Sequence, residues 1–600
     1  MIKKLVCASV GMVAWTVIAA KGGRPRTDLI ASVEFAPFSD VQQKIVDFGN
    51  TINNPMVSMM AVPTLQNVLT EKFGNFRSDA SMKFLFYADV EALGKALEAD
   101  SNKGFGNALE PVLVYPCAEG AAKFLENHPE AQKAADGLIK LEDGNVVLFA
   151  ADDSVCVFAR KAAVAKRALK SALAAAKHAS KPAPAARKKS PFVRVDLKKD
   201  GLAVFAELHQ KLLDMQEQAT KGVCAEDATL TTICEIQRTM GKRQNAVLRN
   251  LAHTTFILDL DETGLIFRGS LKLKSDGPVS PAAGFTLPAN ALADVPAGAP
   301  LFCAMNPSLS MEFRNEEEFR NIVRSIGQFV NVLSSCIKKE APGYAETSDG
   351  VEKAIADVLA AAAYPAPTDW NMLSLAFGPQ QEPYMVCAGE CANAVRSYEA
   401  GVRFYAALAE VLGKKWPGIV SANGATLTVD WSKLIDVVAA ETKGSQASVD
   451  KAKATVAKVL GGTASEITTV LPSQTSYRVL ACTKGFTPPA ASSGEQRLAA
   501  VLPEVVAKRP SGVFYLSLYS LIRDHVMPIA IKCAPAEKGE EVRSVVALLP
   551  EAAGNGAIAG AHWSKKDGSS SFLLRITKDE IRNIGMAVNA IIAAQAQATE

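Results

Sequence analysis

The residues that come nearest to a catalytic pair by type and spacing are Ser335 and Lys338. Residues three apart on a helix lie on one turn, where an amine can take the proton of an attacking hydroxyl. Serine acyl-enzymes combine this S-x-x-K spacing with S-D-N and K-T-G motifs. The chain contains neither companion motif, and Thr483-Lys484-Gly485 is only an approach to the second. The pair therefore supports an envelope hydrolase as an alternative function and not as the leading one.

Two further stretches resemble ligand loops but lack a necessary feature. The segment Asp259–Gly264 has the spacing of part of a calcium loop, but Ser270 stands where the bidentate glutamate is required. The segment Gly554–Gly560 is rich in glycine, but a strand pattern follows it, so a pyrophosphate would find no helix N-terminus there. We expect a hairpin turn at the first, no dinucleotide at the second, and no cofactor.

The cysteines could form disulfides or act as small apolar side chains. Ten of the eleven follow the N-terminal segment, and Cys224 with Cys234 and Cys387 with Cys391 are close enough in sequence to bridge. Several others lie in apolar strand-like runs, where a free thiol packs like a small hydrophobe. There is no pair of C-x-x-C motifs and the six histidines are scattered, so we expect no metal site.

The N-terminus has the pattern of a secretory signal peptide. Lys3 and Lys4 precede an uncharged, mostly apolar run, 5–20, that ends in small residues. We expect cleavage after Ala19 or Ala20; the alternative is an uncleaved anchor, for which the run is short. No later stretch is long enough to span a bilayer. The sequence therefore predicts an exported protein of the periplasm or the cell exterior, without a transmembrane span after cleavage.

One stretch, Phe192–Leu213, shows the unit from which the chain is built. Its first six residues alternate between apolar and polar, which is typical of a strand, and its apolar residues after Gly201 recur at helical steps. Similar strand-to-helix openings occur near Val33, Leu427 and Phe514, interleaved with hairpins. We therefore predict an α+β fold of tandem divergent modules, each an antiparallel sheet with helices packed on one face.

Composition shifts predict the domain boundaries. After the signal peptide, 1–20, we expect a first module over 21–176, a Pro/Ala/Lys-rich linker over 177–190, a second module over 191–414 and a third over 415–600. The linker and the helix before it are basic. This predicts either a solvated tether or contact with an anionic surface, and the tether is the simpler reading.

Charge and composition limit the function. The formal net charge of +3, with 48% hydrophobic and 21% charged residues, excludes wholesale disorder and argues against a dedicated nucleic-acid binder. Because the modules repeat and no catalytic motif is complete, we expect an exported, non-catalytic binding or structural protein of the bacterial cell envelope. Its partner would be an envelope protein, a glycan or a lipid. Besides the hydrolase, a carrier of an apolar ligand is a second alternative, because sheets covered by helices can enclose a cavity.

Overall fold

A computed structural model describes residues 27–599 of the chain apart from short gaps. The residues outside the description are 54, 74, 90–91, 94, 96–107, 180–189, 227–233, 235–237, 240, 243–244, 276–278, 280–281, 308–315, 443–444, 490, 492–493, 535–539, 541–542 and 545, besides 1–26 and 600. The chain folds as two compact units. Unit 1 takes the residues up to Ala219 together with Arg238–Gly277, and unit 2 takes Thr220–Gln237 together with Pro278–Glu600.

Unit 1 contains ten described strands joined in one antiparallel sheet. They are β1 (Thr27–Phe35), β2 (Lys83–Asp89), β3 (Leu109–Pro116), β4 (Gln132–Lys133), β5 (Leu138–Lys140), β6 (Val146–Phe149), β7 (Val155–Ala159), β8 (Val193–Lys198), β9 (Leu251–Asp261) and β10 (Gly264–Leu273). Their order across the sheet is β4-β5-β6-β7-β3-β2-β1-β8-β9-β10.

Helices connect the distant strands of unit 1. They are α1 (Phe38–Thr51), α2 (Pro55–Phe73), α3 (Ala121–Asn127), α4 (Ala162–Ala179) and α5, which begins at Lys199 and ends at Glu226. The helix α4 packs on β3, β6 and β7. Its apolar stripe, which includes Val164, Ala165 and Ala168, is buried against these strands.

Unit 2 repeats the strand order of unit 1. Its strands are β11 (Leu301–Met305), β12 (Trp370–Phe377), β13 (Pro383–Glu390), β14 (Val420–Asn423), β15 (Thr426–Asp430), β16 (Ala464–Val470), β17 (Ser476–Thr483), β18 (Gly512–Leu516), β19 (Ile558–Ser564) and β20 (Ser570–Thr577). They are ordered β14-β15-β16-β17-β13-β12-β11-β18-β19-β20, again all antiparallel. Raising each strand number of unit 1 by ten gives this order, so the two units are copies of one topology.

The helices of unit 2 follow the same plan with additions, among them a helix after the last strand. They are α6 (Glu316–Glu340), α7 (Ala345–Ala361), α8 (Ala394–Lys415), α9 (Trp431–Thr442), α10 (Gln446–Leu460), α11 (Gly494–Val501), α12 (Glu504–Ala507), α13 (Leu518–Ser520), a π-helix (Leu521–Val526), α14 (Met527–Cys533) and α15 (Lys578–Thr599). The pair α9 and α10 joins β15 to β16, whereas a short turn joins the equivalent β5 to β6. These additions distinguish the second copy from the first.

The α+β class is confirmed, but in unit 1 the apolar cores lie on both faces of the sheet. Leu85 of β2 and Val112 of β3 share one core with α4. Leu113 and Tyr115, also on β3, share another core with Phe124 of α3. The expected one-sided arrangement is therefore too simple here. The reason lies in the sequence of β2 and β3, which is continuously apolar over Phe84–Ala88 and Pro111–Pro116, as strands buried on both faces require.

The sheet of unit 2 is more one-sided, as predicted. Along β12, Trp370, Met372 and Ser374 are buried, whereas Leu373 between them is 44% exposed. On β13, Val386 is buried and Met385 is 45% exposed. Period-two burial of this kind is expected where helices cover one face of an antiparallel sheet.

The predicted module boundaries do not coincide with the limits of the two units. The boundary at 190/191 falls inside unit 1, because β8 pairs with β1. The boundary at 414/415 falls inside unit 2, at the end of α8. The three-module division therefore stays a prediction. In the structure the strands of each of the two units pair in one sheet. The predicted signal peptide and residues 180–189 of the linker lie outside the described residues.

The stretch Phe192–Leu213 is confirmed as a strand that runs directly into a helix. Its strand, β8, lies between β1 and β9. The helix α5 begins beside a β-bulge, since the register of β1 on β2 shifts between Leu29 and Ala31. Gly201 on the first turn of α5 lies against the carbonyl group of Ile30 at that bulge. Only a residue without a side chain fits this approach.

Candidate functional site

Ser335 and Lys338 both lie on α6, but each is engaged in a structural contact. The hydroxyl of Ser335 donates to the carbonyl oxygen of Asn331 one turn earlier, at 2.8 Å. The ammonium of Lys338 forms ion pairs with Asp349 and, at 3.4 Å, with Glu352 on α7. The carboxylate of Asp349 holds the pKa of Lys338 above its ordinary value. A lysine with a raised pKa stays charged at neutral pH, so it offers no free amine to a serine.

The glycine-rich segment Gly554–Gly560 lies against the first turn of a helix. The sequence did not predict this contact. This helix is α15, and its own carboxylates occupy the site where an anion would bind. Asp579 accepts a hydrogen bond from the backbone N–H of Asn555 at 3.1 Å. A Cβ at Gly556 would lie 2.6 Å from a carboxylate oxygen of Glu580. Internal acids thus stand at the N-terminus of α15, where the helix dipole favours negative charge.

The stretch Asp259–Gly264 forms a hairpin turn between β9 and β10, as expected. Asp261 accepts from the backbone N–H of Thr263 at 2.7 Å, and Gly264 has a φ of 137°. Asp259 forms an ion pair with the buried Lys44. These carboxylates thus hold the turn and a neighbouring helix, and they do not converge on a common point.

The described cysteines are free thiols in this structure, Cys387 and Cys391 among them. Cys234 is also free, whereas the side chain of Cys224 lies outside the described part. Burial raises the pKa of both Cys387 and Cys391. Thiols in such surroundings remain protonated and are poor nucleophiles. Both pairings therefore stay predictions.

The duplicated topology brings one cysteine to the same place in both units. Cys117 follows β3 and donates its backbone N–H to Ser154 at 3.1 Å, directly before β7. Cys391 follows β13 and donates its backbone N–H to Thr475 at 2.8 Å, directly before β17. This relation is not visible in the sequence, because the number of residues between each cysteine and its hydrogen-bond acceptor differs between the copies.

Around Cys391 unit 2 contains a buried polar cluster that sequence reasoning missed. Asp369 is only 4% exposed and accepts backbone N–H groups of Ala366 at 2.8 Å and Ala392 at 3.0 Å. Tyr477 lies beside it, and burial raises the pKa of its hydroxyl well above the ordinary value. The carboxylate closes two turns, and the tyrosine stays protonated. The cluster therefore holds strand ends together through the backbone hydrogen bonds of Asp369.

A small cleft in unit 2 is lined mainly by apolar side chains, including Leu287, Leu498 and Val513. Glu495 and Arg509 are its charged members. It encloses about 40 Å³, which is room for roughly one water molecule. The cleft is therefore too small to hold a substrate or a lipid in this conformation.

Unit 2 exposes several apolar side chains to solvent, and two of the surfaces that they form lie on its central strands and on α6. The first, the open sheet face, consists of the outward side chains of β11, β12, β13 and β18. Leu373 and Met385 are its most exposed members, and Cys303 and Phe514 lie in register with Leu373 across the neighbouring strands. Contiguous exposed apolar patches on soluble proteins commonly mark sites of association.

The second surface, the helix stripe, lies on α6. It consists of Ile326, Phe329, Leu333 and Ile337, which are 37–47% exposed. Another face of the same helix packs on α7, where the buried hydroxyl of Ser334 lies 2.8 Å from that of Ser348. The helix is thus apolar over a wider arc than its contact with α7 requires.

Within the described residues, no three His, Cys, Asp or Glu side chains are grouped so that they could hold a metal ion. The described helices also include none that is long and apolar enough to cross a membrane. The strongest candidates for function are therefore the two apolar surfaces of unit 2. Comparison with protein-family models, curated proteins and solved structures gives no match.

Proposed function

We propose that this chain is an exported, non-catalytic binding or structural protein of the bacterial cell envelope. The observation that carries the proposal is the contrast between its polar and apolar groups. The side chains nearest to a catalytic pattern, Ser335 and Lys338, are held in contacts within and between helices. In contrast, the open sheet face and the helix stripe present apolar side chains to solvent.

The location rests on the sequence alone. The basic start, the apolar run and the small residues of 1–20 favour export, and ten cysteines in the remaining chain are compatible with an oxidising compartment. The partner in this proposal is an envelope protein, a glycan or a lipid. Of these classes, the exposed apolar surfaces favour an apolar partner over a glycan.

The hydrolase alternative predicts that Ser335 is essential, whereas our proposal predicts that it is not. We expect the wild type and Ser335→Ala to leave peptide, ester and glycan substrates equally unhydrolysed, at the rate of the buffer blank. Ser325→Ala is the matched control, because Ser325 makes the same hydrogen bond, to Asn321 at 2.9 Å. Turnover by the wild type and Ser325→Ala that disappears in a correctly folded Ser335→Ala would establish a hydrolase.

A further inference from the structure

Three residues of the helix stripe, Ile326, Phe329 and Leu333, belong to a longer regular seam along α6. Apolar residues recur along this helix at alternating steps of three and four, which is the a/d pattern of a coiled coil. The members are Phe319, Ile322, Ile326, Phe329, Leu333 and Cys336. Of these, Ile326, Phe329 and Leu333 are exposed. The exposed middle of the seam, Ile326, Phe329 and Leu333, therefore lacks the partner helix that an a/d pattern needs.

The contact with α7 does not use this seam. The two helices meet at Gly327, where an added Cβ would lie 3.7 Å from Leu359. They also meet at Ser334 and through the ion pairs of Lys338. At about 100° per residue, these positions lie roughly a third of a turn away from the seam. The helix therefore has two separate contact faces, of which α7 occupies one.

The charges along α6 indicate what fits the other face. Its first turn begins with the exposed Glu316 and Glu317, and its last turn contains the exposed Lys339 next to Lys338, which the contact with α7 already uses. A second α6 that runs antiparallel brings the acidic end of each helix beside the basic end of the other. In the same register, Ile326 packs against Phe329 of the second copy and Ile322 against its Leu333, so the seam closes on itself.

We propose that the helix stripe is a self-association surface, at which α6 of one chain pairs antiparallel with α6 of a second copy. A membrane surface is the less suitable occupant, because acidic residues at the N-terminal end of the helix would be repelled by anionic lipids. The pairing is isologous, and each chain contributes the same residues to it. It depends neither on export nor on the absence of catalysis.

The test measures the mass of the full chain by sedimentation over a hundredfold range of concentration. We expect twice the mass of one chain for the wild type. We expect Leu333→Glu and Ile326→Glu, each placed at the centre of the seam, to raise the dimer dissociation constant by about 100-fold. Val438→Glu is the matched control, since Val438 on α9 is 52% exposed and lies outside the seam; it should remain a dimer.

Charge supplies a second arm of the same test. Lys339→Glu should raise the dissociation constant by about fivefold at low salt and less at high salt, as expected for a solvent-exposed ion pair. Circular dichroism and thermal melting establish that each variant is folded. A wild-type monomer at every concentration, or a dimer that Leu333→Glu leaves intact, would overturn the proposal. A wild type that is monomeric and binds phospholipid vesicles, with this binding lost in Leu333→Glu, would also overturn the proposal.

Discussion

Replacing Gly201 by alanine should destabilise unit 1 by about 3 kcal/mol, at the upper end of the usual cost of overpacking. Gly201 is buried, and a Cβ there would lie 2.8 Å from the carbonyl carbon of Ile30 and closer still to its oxygen. Backbone cannot rotate away as a side chain can, so either β1 or the start of α5 must move. Chemical denaturation of the full chain, followed by a probe placed in unit 1, measures the change.

Gly401→Ala is the control for this prediction. Gly401 lies inside α8, and a Cβ there meets nothing within 4 Å. Alanine in the interior of a helix is favoured over glycine by about 1 kcal/mol. The two substitutions should therefore change stability in opposite directions. A Gly201→Ala protein as stable as the wild type would mean that β1 and α5 are not as close as the structure places them.

Replacing Glu504 by alanine should destabilise unit 2 by about 3 kcal/mol, as expected when a buried charge loses its partner. Arg575 on β20 is 4% exposed and donates to both carboxylate oxygens of Glu504, at 2.7 and 3.2 Å. It also donates to the carbonyl oxygen of Val501 at 2.8 Å. Without Glu504, the guanidinium stays buried with its charge uncompensated. The free energy of unfolding, measured with a probe in unit 2, gives the loss.

The double variant Glu504→Leu with Arg575→Met separates this effect from a loss of packing. Removing both charges removes the uncompensated guanidinium, so the double variant should be more stable than Glu504→Ala. If the double variant loses as much as or more than Glu504→Ala, the contribution of Glu504 is one of packing and not of charge. The exposed ion pair of Arg320 with Glu316 is the reference, and breaking it should cost well under 1 kcal/mol.

The local elements could be predicted wherever one periodicity dominates. The strand β8 and the start of α5 lie in the predicted stretch Phe192–Leu213, and the β9–β10 hairpin turns at the predicted residues. In contrast, α2 was missed, because its apolar residues are distributed around the helix and Pro63 interrupts the pattern. The strand order could also not be predicted from the sequence, since it depends on pairing between strands that are far apart in the chain.

The candidate surfaces show a different limit. The amphipathic pattern of α6, the helix that carries Ser335 and Lys338, is visible in the sequence. Periodicity cannot say whether an apolar stripe is covered, however, because a buried stripe and an exposed one have the same spacing. Likewise, the roles of Ser335 and Lys338 depend on Asn331 and Asp349, which only the fold places beside them.

The most direct test of the central claim, that this is an exported envelope protein, is the intact mass of the full chain after production and fractionation of a bacterial host. Our account predicts a periplasmic or secreted protein that lacks the residues up to Ala19 or Ala20. Val13→Arg, which interrupts the apolar run, should abolish this processing and leave the chain inside the cell. A wild-type chain that stays in the cytoplasm with its N-terminus intact would contradict the account.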